Sequence, residues 1–135
     1  MTKKIVDDLS YRIIGAAIEV HKELGPGLLE KVYQECFAQE LISSGLHVEL
    51  EHRVPVVYKG LTLNVGLRCD LVVNNLIVVE NKAVDHIMPI FTAQLMTYMR
   101  LLKLPKGILI NFNCTNIFKE GQKTIVNELY RQLPP

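Results

Sequence analysis

The sequence predicts an α/β fold with a mixed sheet, and three observations carry the prediction. Two amphipathic helical stripes come first, and a stretch of two-residue alternation follows them. A last helical stripe then runs into a continuous apolar segment, Ile108 to Phe112. The resulting order is α-α-β-β-β-α-β plus a tail. Strands joined by short turns pair antiparallel, whereas a helical crossover adds its strand in parallel.

Each element has a local reason. Leu9, Ile13, Ala16, Ala17, Val20 and Leu24 recur at helical spacing, with Arg12, Glu19, Lys22 and Glu23 between them, which is an amphipathic helix. Gly25-Pro26-Gly27 stops it, since glycine relaxes the backbone and proline removes a donor. Leu29, Val32, Tyr33, Cys36, Phe37 and Leu41 form the second stripe, which ends at Ser43-Ser44-Gly45.

The period then changes to two. Val48, Leu50, His52, Val54, Val56 and Tyr58 share one parity, opposite Glu49, Glu51 and Arg53. They predict one half-buried strand, with Pro55 marking an edge position or a bulge. Lys59-Gly60 turns the chain into Leu61, Leu63, Val65 and Leu67, and this strand is expected to continue into Asp70-Leu71-Val72-Val73. Asn74-Asn75 is the next turn, and Leu76 to Glu80 is a short strand rich in β-branched residues. Pro89 suits the first position of a helix carrying Phe91, Leu95, Met99 and Leu102 on one stripe. Leu104-Pro105-Lys106-Gly107 ends that helix before the apolar strand. The tail from Asn113 to Pro135 holds a turn at Gly121 and a short final helix or strand around Ile125, Leu129 and Tyr130.

A chain of 135 residues is the size of one domain, taken here as 1–135. A net charge of +1 excludes a strongly basic chain that grips nucleic acid by bulk electrostatics. Any polyanion contact then needs a local patch, a second chain or bound metal ions. Cys36, Cys69 and Cys114 are odd in number and far apart, which fits reduced thiols in the cytoplasm and neither a disulfide framework nor a zinc site. The basic start Met1-Thr2-Lys3-Lys4 meets Asp7 and Asp8 before any apolar segment, so no secretory signal is expected. No apolar run approaches the roughly 20 residues that span a bilayer, and no membrane partner is expected.

Asp70 and the tripeptide Glu80-Asn81-Lys82 are the residues most suited to chemistry. Alternation places Glu80 and Lys82 on one face, about 7 Å apart, and an aspartate on a neighbouring strand about 4.8 Å away can approach Glu80. Two such carboxylates repel unless a hard divalent cation sits between them, and Mg²⁺ prefers oxygen ligands. A nearby lysine keeps its charge and can orient water. Together these parts suit hydrolysis of a phosphodiester. The geometry carries a condition. A plain two-residue turn at Asn74-Asn75 pairs Asp70 with Val79 and turns Glu80 to the other face. A shared site requires a three-residue loop or a bulge that shifts the pairing by one. Spacing alone favours the plainer reading, in which the three charges are solvated and guard a sheet edge. Against it, Glu80 ends the apolar run Leu76-Ile77-Val78-Val79, where a carboxylate is costly unless it is paired or metal-bound.

Gly27-Leu28-Leu29-Glu30-Lys31-Val32-Tyr33, followed by Asp70, Glu80-Asn81-Lys82 and Gln94, resembles the GxxExxY proteins over nearly the whole chain. That family looks like a compact branch of the PD-(D/E)XK nuclease superfamily, with its restriction-endonuclease-like core. The resemblance implies Asp70 and Glu80 as metal ligands, the Asn81 carbonyl as a further ligand, Lys82 as the catalytic lysine and Glu30 as an extra acidic residue on the first core helix. It supplies no substrate. Cys69 stands where the literal superfamily motif has proline.

The remaining candidates each have a structural alternative. Glu30 also complements the helix dipole in a first turn. Tyr33 lies on the apolar stripe and reads as core, with its hydroxyl a candidate for the site. Gln94 and Tyr98 are four residues apart and off the Phe91-Leu95-Met99 stripe, so both are candidates for the charged end of the sheet. His21, His47, His52 and His86 have no ligand-like spacing. Lys103 and Lys106 flank a helix end, where cations are favoured in any case. The expected function is metal-dependent hydrolysis of DNA or RNA with Mg²⁺ or Mn²⁺. The alternative is a non-catalytic module of the same fold that binds nucleic acid or a protein partner. A domain this small and weakly charged is also a candidate homodimer.

Overall fold

A computed structural model describes residues 1–135. Helix α1 (Lys3–Leu24) starts earlier than its apolar stripe, because the Thr2 hydroxyl accepts from the Ile5 N–H and caps the first turn. Helix α2 (Glu30–Ser43) follows the Gly-Pro-Gly break. Five strands form the main sheet in the order β1 (Val48–Arg53), β4 (Arg68–Val73), β5 (Ile77–Lys82), β6 (Lys106–Asn111), β7 (Gln122–Val126). Between β1 and β4 the chain makes a separate ribbon of β2 (Val56–Tyr58) and β3 (Leu61–Leu63). Helix α3 (Pro89–Leu102) links β5 to β6, and the short helices α4 (Ile117–Glu120) and α5 (Glu128–Arg131) flank β7.

β5 and β6 pair in parallel through the α3 crossover, and the other neighbours in the main sheet are antiparallel. The sheet is therefore mixed, as the element order implied. α1 and α2 cover one face, where Ile13, Val20, Phe37 and Leu41 pack against Leu71, Val79, Ile108 and Ile110. α3 covers the other, where Leu95 and Met99 pack on Val72, Val78 and Leu109. A Cβ on Gly107 of β6 would lie 2.6 Å from the Met99 sulfur, so the missing side chain is what lets α3 settle this close. No helix is long and apolar enough to cross a membrane.

Two expectations about strands are corrected. The alternating segment from Val48 to Tyr58 is two strands, because Val54 is anchored in the core while Pro55, lacking an N–H, cannot continue the ladder. Likewise Leu61 does not run on into Asp70: β3 ends at Leu63, and β4 begins at Arg68 after a turn at Gly66 in left-handed backbone. β1 is an edge strand, so Leu50 is 41% exposed and the expected burial of its parity is only partial. The tail supplies both a strand, β7, and a helix, α5.

Candidate active site

The pairing of β4 with β5 decides whether the acidic residues meet. Asn74 and Asn75 both take left-handed backbone, which asparagine tolerates better than most residues. Leu76 is a third loop residue, so Val73 pairs with Ile77 and Leu71 with Val79. This is the one-residue shift that a shared site requires. It sets Asp70 opposite Glu80.

At that position the two strands part, and carboxylates take the place of the ladder. The Asp70 N–H donates to Glu80 Oε2 at 2.6 Å, and the Asn81 N–H donates to Asp70 Oδ2 at 2.9 Å. Each side chain thus satisfies a backbone donor that strand separation would otherwise leave bare. Glu80 is only 5% exposed. Burial, then the Asp70 charge, pushes its carboxyl up to about 8, while the Asp70 N–H and the Lys82 charge pull the other way. Burial also raises Asp70, opposed by the Asn81 N–H and the Lys82 charge and reinforced by Glu30 and Glu51. The metal-free site is a pair of carboxyls that resist being ionised together.

Lys82 forms no ion pair with either carboxylate. Its ammonium lies 4.6 Å from the ring centroid of Phe91 on α3, a cation–π contact that holds the charge at the site's edge. Tyr98, on the same helix, keeps its phenolic proton more firmly than usual through burial and the nearby charges of Glu80 and Asp70. Gln94 lies exposed on α3 with no hydrogen bond to the carboxylates. Glu30 is half-buried at the start of α2, where its charge is felt at Asp70 and its backbone carbonyl accepts from the Asn81 amide at 3.3 Å. Asn81 is fully buried, and its Oδ1 has no partner. His21 is bonded to the Cys114 carbonyl, and His47 and His52 flank Glu49. Cys69 is no nucleophile, since burial pushes its thiol up to about 12.

The Gly25–Glu30 connection is held by Tyr33. Its hydroxyl donates to the Gly25 carbonyl at 2.5 Å and accepts from the Leu28 N–H at 3.1 Å, while its ring stacks on Phe112 at 4.7 Å. The ring is core, as its stripe position indicated; the hydroxyl fastens the loop before Glu30 and does not enter the site. Tyr33→Phe keeps the stack and loses the clasp. We expect a loss of about 1 kcal/mol in urea unfolding, and an unchanged midpoint would remove the clasp from the account.

Glu51 is a neighbour of the site that the sequence pattern does not reveal. It stands opposite Asp70 in the β1–β4 register, takes left-handed backbone at φ 50°, and accepts from the buried Gln34 amide at 2.8 Å. Its parity in the alternating run marked it only as a surface charge. Nothing local in the sequence signals the unusual φ, which is costly for a glutamate.

No three histidine, cysteine, aspartate or glutamate side chains form a group able to hold a metal ion by themselves. The donor set fits a hard cation that retains water, however. Asp70 and Glu80 are crowded carboxylates, each with one oxygen not engaged by a backbone N–H, and Mg²⁺ usually takes only one or two carboxylates and keeps several waters.

No curated protein and no solved structure matches the chain. The family model that does match covers residues 7–125 and so takes in most of α1, all of α2 and α3, the paired carboxylates and the parallel strand behind them. The chain belongs to the PD-(D/E)XK nuclease superfamily.

Proposed function

We propose that the chain is a single-domain, metal-dependent nuclease in which Asp70, Glu80 and the Asn81 carbonyl hold Mg²⁺ or Mn²⁺ and Lys82 orients the attacking water. The observation that carries this reading is the register shift at Asn74–Leu76, which brings the buried Glu80 carboxyl against the half-buried one of Asp70. Crowding two carboxyls there is unfavourable for folding, a cost that a bound cation would offset. When bound, the ion would neutralise charge at the phosphodiester and make water a better nucleophile.

The protein's own groups do the rest. Backbone N–H groups fix one oxygen of each carboxylate, so their remaining oxygens are aimed before a ligand arrives. Lys82, parked over Phe91 without a carboxylate partner, is left to donate to water or to a phosphate oxygen. Glu30, through its charge at Asp70, and Gln94, on the exposed side of α3, are assigned supporting roles. Membership of the GxxExxY branch is supported by Gly27, Glu30 and Tyr33, with Tyr33 fastening the loop that leads to Glu30. Three free cysteines suit a cytoplasmic setting.

Purified protein is expected to cleave DNA or RNA in Mg²⁺ or Mn²⁺, and chelator or Asp70→Ala is expected to bring cleavage to background. Cleavage that persists in the Asp70→Ala protein would belong to a contaminant and overturn the assignment. The near-neutral charge and small size, which leave little surface for substrate capture, favour a second reading, a non-catalytic module that binds nucleic acid or a protein partner. Calorimetric titration separates the two: heat from Mn²⁺ binding supports the enzyme, and none at millimolar Mn²⁺ supports the module.

A further inference from the structure

The β2–β3 ribbon stands outside the main sheet and is unusually bare. Val54 and Leu67 tie its root down, with the Val54 N–H bonded to the Leu67 carbonyl at 2.8 Å. Beyond them Val57, Tyr58, Leu61 and Val65 are 59–63% exposed. The tip is a two-residue turn with Lys59 and Gly60 in left-handed backbone, and the Lys59 ammonium lies 5.5 Å from the Tyr58 ring centroid. A lone two-stranded hairpin is marginal in water, so this ribbon has the character of an arm awaiting a partner.

Charge identifies the partner. The stretch from His52 to Cys69 carries Arg53, Lys59 and Arg68 and none of the chain's 14 acidic residues. Arg53 and Arg68 are direct cross-strand partners at the root. Like charges placed opposite one another destabilise a sheet, and neither arginine has a carboxylate to offset the cost. Arg53 donates to the Asn64 side chain and Arg68 to the Glu51 carbonyl. Arg68 is also two residues before Asp70, about 7 Å along the same strand.

We propose that this ribbon is a nucleic-acid arm. Arg53 and Arg68 hold the phosphate backbone beside the acidic site, Lys59 meets a further phosphate, and Tyr58 offers its ring to a base. The inference rests on the nuclease reading and supplies the local basic patch that a chain of net charge +1 otherwise lacks. Guanidinium forks suit phosphate, and an exposed tyrosine beside a cation suits an unpaired base. The strand delivered to Asp70 is therefore single, or locally opened.

The test is fluorescence anisotropy with a labelled single-stranded oligonucleotide and its duplex, in chelator, across roughly 50–200 mM salt. The unmodified protein is expected to bind the single strand more tightly. The Arg53→Gln/Lys59→Gln/Arg68→Gln protein should lose at least about tenfold, with the slope of log affinity against log salt shallower by about 2. Tyr58→Ala should lose about tenfold on the single strand with its slope unchanged. If the triple variant fails to fold by circular dichroism, the exposed Lys59→Gln alone should still flatten the slope by about 0.7.

Unchanged affinity and slope in these variants, with the unmodified protein still binding and cleaving, would overturn the arm and leave the nuclease reading standing. No binding and no cleavage by the unmodified protein would overturn both. If sedimentation shows a dimer that Tyr58→Ala dissolves while oligonucleotide affinity stays put, the ribbon joins two copies of this chain and the proposal fails.

Discussion

Without added metal, Glu80→Gln protein is expected to be more stable than the natural chain at pH 8, and with Mg²⁺ or Mn²⁺ supplied it is expected to show none of the proposed cleavage. Glutamine keeps the shape and can still accept from the Asp70 N–H, but it removes the more deeply buried of two crowded charges. The sign follows from the shifted carboxyl. Glu80 titrates at about 8 in the folded protein and near 4.5 as a free side chain. Such a group favours the fold fully below its unfolded value, and that contribution is lost as pH rises through the folded one. The groups facing it are Asp70 and Cys69 from β4, Lys82 from β5 and Tyr98 from α3, with Glu30 and Glu51 acting through Asp70. Lys82 is the only cation among them, and it does not cancel the carboxylates.

Urea unfolding should show an advantage of roughly 1–3 kcal/mol for Glu80→Gln at pH 8, shrinking toward zero near pH 4, where the natural side chain is protonated. Adding Mn²⁺ should stabilise the natural protein and leave the variant nearly unmoved. A variant less stable at pH 8 would mean that the Glu80 charge is already compensated within the chain, and the case for a cation between the carboxylates would lapse. Stability and activity moving in opposite directions is the mark of a residue kept for function.

How far the site could be read from the sequence depends on the range of the interaction concerned. The pairing Asp70–Glu80 was legible because it reduces to one local question, whether the turn holds two residues or three, and a polar residue ending an apolar run posed that question. Glu51 was illegible for the opposite reason. Its left-handed backbone and its bond to Gln34 depend on where α2 lies against β1, and neither neighbour in sequence hints at it. Tyr33 shows an intermediate case: helical spacing placed the ring in the core, but the destination of its hydroxyl follows from how Gly25-Pro26-Gly27 folds back. The superfamily assignment rests on a family match over residues 7–125, and likeness over that length survives where single contacts cannot be foreseen.

The fold divides along similar lines. Helical stripes and the buried strand β6 were readable because burial on one face, or on all sides, writes a period or an apolar run into the chain. The span from Pro55 to Gly66 misled because its alternation has no core beneath it. Val57, Tyr58, Leu61 and Val65 are strand-forming residues with apolar side chains, yet all four face solvent. Periodicity records what a segment can bury and does not say against what. Apolar alternation left in water therefore points outward to a partner, as the ribbon's charge also does.

Lys82→Met is expected to lower cleavage about 10²–10⁴-fold, the range typical of removing a positioned proton-handling group, while Mn²⁺ binding by calorimetry remains. The two readouts part because Lys82 is not ion-paired with Asp70 or Glu80 and holds its ammonium over Phe91. Methionine preserves the packing on that ring through a favourable sulfur–aromatic contact, so the fold should tolerate the change. Loss of the nearby positive charge should also make the carboxyls harder to ionise, since Lys82 currently lowers both. Metal affinity should then fall modestly at pH 7 and recover at higher pH, whereas the cleavage rate should not recover. If raising the pH restores cleavage to the natural level, Lys82 acts only by tuning Asp70 and Glu80 and is a positioning residue. If cleavage stays low with the site fully loaded, the ammonium itself orients the water.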